Sequence, residues 1–177
     1  MATVVNSLGA GPGDTWADDG YAVVPGAFAP AACAAMADIA GHGSVDHRHP
    51  AVTRLGVDLV GRLGGGRVRA AGGRIVVTMP GASGRGWGRQ RAGTVALHLA
   101  LRPATADAGC PWVVPGSHRA TPAGAAGVLP PLDDAVAVPL DIGDLVLLDG
   151  GLVHRVSDNR SLAPAAALLV VFRRPGV

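Results

Sequence analysis

There is no Lys and no Glu in this 177-residue chain: all 15 basic residues are Arg and all 13 acidic residues are Asp. Ala, Gly, Arg, Pro and Val dominate, the imprint of a very GC-rich genome of the actinomycete kind, where specialised metabolism is common. The formal net charge is only +2 and the Arg residues are scattered. No basic stripe or polybasic patch exists, which argues against nucleic acid or a membrane surface as partner. Cysteine is scarce too. Cys33 and Cys110 lie far apart, with no CxxC pair and no disulfide framework. Long apolar runs are also missing: the longest, Ala163–Phe172, is too short to span a bilayer. Met1–Asp14 has neither the basic start nor the apolar core of a signal peptide. A soluble cytoplasmic protein is expected.

Hydrophobic residues make up 49% of the chain, with 27 Gly and 14 Pro. The length suits one domain, able to bury roughly 70% of its unfolded surface. Frequent Gly and Pro cut it into short segments, which favours β structure. Residues 1–16 read as a flexible lead-in, and residues 17–177 as a single domain. Pro30–Ala40 is predicted to be a helix, with Pro at its first position and Gly41 just past its end. Ala51–Leu63 carries Val52, Leu55, Leu59 and Leu63 in helical register. Short strands are expected at Tyr21–Val24, Arg74–Met79, Thr94–Leu101, Trp112–Val114, Ala135–Leu140, Asp144–Leu148, Val153–Val156 and Ala166–Arg173. A mainly β fold follows: two or three N-terminal helices leading into a jelly-roll barrel, the double-stranded β-helix of cupin-like proteins.

Three stretches resemble the phytanoyl-CoA dioxygenase family of iron(II)/2-oxoglutarate oxygenases. The first is Asp19-Gly20-Tyr21-Ala22-Val23-Val24-Pro25-Gly26, running into the first long helix. The second is Gly109-Cys110-Pro111-Trp112-Val113-Val114-Pro115-Gly116-Ser117-His118-Arg119. The third is Gly143-Asp144-Leu145-Val146-Leu147-Leu148-Asp149, followed by His154 and Asn159-Arg160-Ser161. The resemblance implies a jelly-roll core and an iron site of a His-x-Asp pair and a distal His. It also implies an Arg, about ten residues beyond that His, for 2-oxoglutarate. Two nitrogens and one carboxylate on one face would leave open positions for oxygen and co-substrate.

His154 matches the distal His. The rest of the set does not match. Aligned on Trp87, Gly88 stands at the His position and Gln90 at the Asp position. The expected Arg position falls in Ala163–Ala167. These departures imply no metal and no cofactor. His154 and His98 then become candidate catalytic acid and base within the barrel. Arg89, Arg91, Gln90 and Trp112 become candidate substrate-binding residues, the arginines for a carboxylate or enolate oxygen. His98 reads equally as a core residue, and Arg89 and Arg91 equally as solvated side chains. Asp144, Asn159 and Ser161 read as turn residues.

The expected function is a metal-independent cyclisation, isomerisation or dehydration of a small-molecule natural-product intermediate. Two alternatives stay open. One is an Fe(II)/2-oxoglutarate oxygenase with an atypical ligand set, and the other is a non-catalytic binding or auxiliary protein. Pairing of two copies into a homodimer is also left open.

Overall fold

The computed structural model describes residues 12–41, 44–63, 66–120 and 129–174. Three helices precede most of the sheet: α1 (Pro12–Asp19), α2 (Pro30–Ala40) and α3 (Pro50–Arg62). Between them lie the short strands β1 (Tyr21–Val24) and β2 (Val45–Asp46). Eight more strands follow: β3 (Arg69–Thr78), β4 (Arg85–Gly88), β5 (Thr94–Ala100), β6 (Pro111–Val113), β7 (Val136–Ala137), β8 (Leu145–Asp149), β9 (His154–Val156) and β10 (Ala165–Arg173).

The strands form two antiparallel sheets. The large one runs β1-β8-β5-β10-β3-β2 and the small one β4-β9-β6-β7. This is the double-stranded β-helix architecture that the turn-separated strands predict. Three expectations need correction. The lead-in to residue 16 contains part of α1, while residues 1–11 lie outside the described residues. β2 and β4 form where no strand is predicted, and the strand expected over Ala135–Leu140 shrinks to Val136–Ala137.

Both long helices begin as their sequences dictate. Pro30 and Pro50 occupy first-turn positions, where the missing N–H costs nothing. His49 caps α3, its Nδ1 accepting from the Val52 N–H at 3.5 Å. Val52, Gly56 and Val60 form the buried stripe of α3. Gly56 is obligatory there, because a Cβ would collide with the Phe172 ring.

The central strands β5 and β8 of the large sheet are buried on both sides, and strand alternation sorts their residues. Val95, Leu97 and Leu99 of β5, Leu145 and Leu147 of β8, and Leu168, Val170 and Phe172 of β10 pack with the helices. Their neighbours on β5 and β8, Ala96, Ala100, Val146 and Leu148, face the small sheet. Every residue of β5 is buried. Burying Leu97, Leu99 and Phe172 contributes roughly 2 kcal/mol each.

Turn residues hold the strands in register. The Asp144 carboxylate accepts from Gly26 N at 2.7 Å and Asp141 N at 3.0 Å. Asn159 is fully buried and donates to Thr78 O at 2.7 Å and Ala163 O at 2.8 Å. Gly143 precedes β8 at φ 92°, against the Phe28 backbone, where any side chain would clash.

Candidate active site

A cavity of about 450 Å³ opens between the two sheets. His98 enters it from β5 and His154 from the start of β9. Gln90 lines it too, along with Arg74, Arg85 and Ser83. A smaller space of about 50 Å³ continues the cavity past His98 to Ala165, Ala166 and Ala167. No charged residue lines that inner space.

The two imidazoles meet edge to face, with ring centroids 6.5 Å apart and planes at 86°. His154 Nδ1 lies 2.9 Å from Leu152 O. A carbonyl only accepts, so Nδ1 carries the proton and Nε2 of the neutral ring keeps its lone pair. Burial lowers the pKa of His154, the Leu152 bond opposes this, and Arg85 adds to the lowering. His98 is pushed down to about 3 by burial, then by His154 and Arg85. It is therefore uncharged at neutral pH and has no imidazolium proton to give. The expected acid–base pair becomes one neutral ring beside one proton acceptor.

Gly88 is the cross-strand partner of His154. A Cβ at Gly88 would meet nothing within 4 Å, so the space of the missing side chain remains open. Gln90, the chain's one glutamine, shares the cavity two residues on.

The other predicted binding residues lie elsewhere. Arg89 Nη1 donates to Ser117 O at 2.7 Å and also to Gly151 O, tying two loops together. Ser117 Oγ in turn accepts from Val153 N at 2.9 Å, next to His154. Arg89 therefore braces the start of β9 rather than meeting a ligand. Arg91 is exposed outside the cavity lining. Trp112 stands on the outer side of the small sheet, where the Arg155 guanidinium lies 5.2 Å from its ring centroid and 5.2 Å from that of Trp87. Arg74 and Arg85 are the cavity arginines that sequence reasoning passed over. Alternation from buried Ile75 puts Arg74 on the cavity side. No equivalent signal marks Arg85.

Residues 82–167 match the model of the phytanoyl-CoA dioxygenase (PhyH) family. Solved structures share the fold. The non-heme alpha ketoglutarate dependent carbocyclase SnoK from nogalamycin biosynthesis superposes with a TM-score of 0.74 at 23% identity, over 100% of this chain and 90% of that one. AviO1 from Streptomyces viridochromogenes Tue57 gives 0.74 at 20%, over 100% and 98%. The epimerase SnoN in complex with Fe3+, alpha ketoglutarate and nogalamycin RO gives 0.71 at 20%, over 92% and 82%.

The expectation of no cofactor does not stand against these findings, since both the family and the SnoN complex point to iron and 2-oxoglutarate. The donor atoms of this chain are nevertheless too few for the family's three-ligand face. His154 and Gln90 line the cavity, and Gly88, the strand partner of His154, has no donor atom to offer. Among the described residues no group of three His, Cys, Asp or Glu could hold a metal. The matched segment resembles the phytanoyl-CoA dioxygenase family, and the double-stranded β-helix is the fold that the solved structures share with this chain.

Proposed function

We propose that this chain is an enzyme acting on a natural-product intermediate, of the iron/2-oxoglutarate class with an atypical ligand set built on His154. The observation that carries this reading is the state of His154. It stands at the family's distal ligand position, with Nδ1 committed to Leu152 and Nε2 left as a lone pair at the cavity. The company of SnoK and SnoN, both from nogalamycin biosynthesis, supports a natural-product substrate. Iron with 2-oxoglutarate supplies oxidising power toward C–H bonds when bound. The chain's own part is to orient the substrate, exclude water with the apolar strands, and present Nε2. With so few protein donors, metal binding should depend on a carboxylate brought by another ligand.

A proton-transfer step, of the cyclisation or isomerisation kind, is the second reading. Arg85 favours it, because a guanidinium acting on both imidazoles suits a developing oxyanion. Here His154 Nε2 would take a proton from the carbon next to a substrate carbonyl, Arg85 would stabilise the enolate, and the His154 imidazolium would return the proton to give the isomer.

One experiment separates them. Co(II) is titrated into the protein with and without 2-oxoglutarate and followed by its absorption bands, for the parent and His154→Ala. The first reading expects bands that require both the co-substrate and His154. Their absence in the parent under all conditions would rule it out. Solvent deuterium appearing in the substrate carbon would select the second.

A further inference from the structure

We propose that the cavity is a carboxylate-binding site in which the ligand's anion sits between Arg74 of β3 and Arg85 of β4. This rests on the reading of the cavity as the place of reaction. Arg74 pairs with Leu169, and Leu169 pairs with His98 on its other side. The three residues form one row across neighbouring strands, so their side chains share the cavity face. Two strand spacings put Arg74 about 10 Å from His98 along that row. Arg85 comes from the opposite sheet, where its partner Val156 lies two residues from His154. The two guanidiniums therefore approach one space from two sides.

Both arginines line the cavity and neither forms an ion pair among the described residues. Asp46, the strand partner of Arg74, is the one carboxylate in the lining. Two cations against one anion leave the outer cavity positive. The inner end is the opposite: apart from Thr78 and the neutral His98 its lining is apolar, with Ala165, Ala166 and Ala167 at its floor. The position the family uses for an anion is thus apolar here, while two guanidiniums wait at the other end. A planar guanidinium holds a carboxylate through two parallel hydrogen bonds. The fitting ligand is a small carboxylic acid with its anion outward and its apolar body toward the imidazoles and alanines. That carboxylate belongs either to the substrate itself or to 2-oxoglutarate, whose keto acid end would then face the imidazoles in place of an apolar body.

Calorimetric titration with 2-oxoglutarate, benzoate and neutral benzamide tests this. The full chain is used, with Arg74→Gln and Arg85→Gln, and Arg91→Gln as control. Arg74, Arg85 and Arg91 are all exposed, and melting curves confirm folding of each variant. The expected result is binding of a carboxylate but not of benzamide, weakened roughly 10- to 100-fold by each cavity variant and unchanged in the control. Preference for 2-oxoglutarate assigns the anion to the co-substrate, and preference for benzoate assigns it to the substrate. Equal affinity in the parent and both cavity variants, or no carboxylate binding by the parent, overturns the proposal. If His154→Ala abolishes turnover while Arg74→Gln and Arg85→Gln leave carboxylate affinity untouched, this proposal fails alone. If the arginines govern affinity while turnover ignores His154, the active-site reading fails alone.

Discussion

At the scale of single residues, the balance is between His154, which keeps a free nitrogen, and Gly88 opposite it, which contributes only room. His154→Ala should lower turnover of the true substrate by about 100-fold or more, whether Nε2 holds a metal or a proton. His154→Gln keeps much of the volume, so an equal loss would exclude simple cavity collapse. Gly88 offers the reverse experiment. It is not among the positive-φ glycines and has open space for a side chain. Gly88→His combined with Gln90→Asp should therefore bind Co(II) more tightly than the parent without any added carboxylate. Absorption titration of the two proteins checks this.

His98 carries a pH prediction of definite sign. Its folded pKa is about 3 against an ordinary 6.5, so the unfolded chain binds the proton more readily. Stability contributed by the neutral ring is full above about pH 6.5 and drains away as pH falls toward 3. Denaturant midpoints measured from pH 7 to pH 4 should fall, and His98→Phe should flatten part of that slope.

At the scale of elements, the helices and long strands were legible because local chemistry and burial agree. Pro at the first helical position, Gly41 after α2 and the apolar stripe of α3 all point the same way. β5 and β10 read as strands from their Val and Leu content. β4 was illegible: Arg85-Gly86-Trp87-Gly88 has two glycines, and its pairing with β9 shifts register between Arg85 and Gly88. A register shift changes which residues share a face, so counting from Trp87 could not choose Arg85 over Arg89. Arg89 belongs to the element scale for the same reason. Its two loop carbonyls brace the start of β9, so Arg89→Ala should cost about 2 kcal/mol, read as a lower denaturant midpoint. Gly56→Ala forces a methyl group into the Phe172 ring and should cost about 1–3 kcal/mol by the same measurement.

At the scale of the whole molecule, the three motif stretches disclosed the fold because they lie where the architecture is built. Asp144 and Asn159 hold turns, and Ser117 of the Pro-Gly-Ser-His turn holds the loop before His154. The cavity was half legible. His98, His154 and Gln90 meet there, while Arg74 and Arg85 converge only because β3 and β4 lie in opposing sheets. Such convergence depends on how the sheets face one another, which no local pattern records. The absence of the expected iron ligands was readable residue by residue, but it did not justify the inference that cofactors are absent.

The small sheet has its own consequence. Arg155 lies between Trp87 and Trp112 on one side of β9, and its neighbour His154 looks into the cavity from the other. Two of the chain's three tryptophans thus sit a single strand's thickness from the site, with a cation between their rings. Their emission is a built-in optical gauge: a ligand that moves β9 disturbs the stack, and the change in fluorescence reports filling of the cavity without any attached dye.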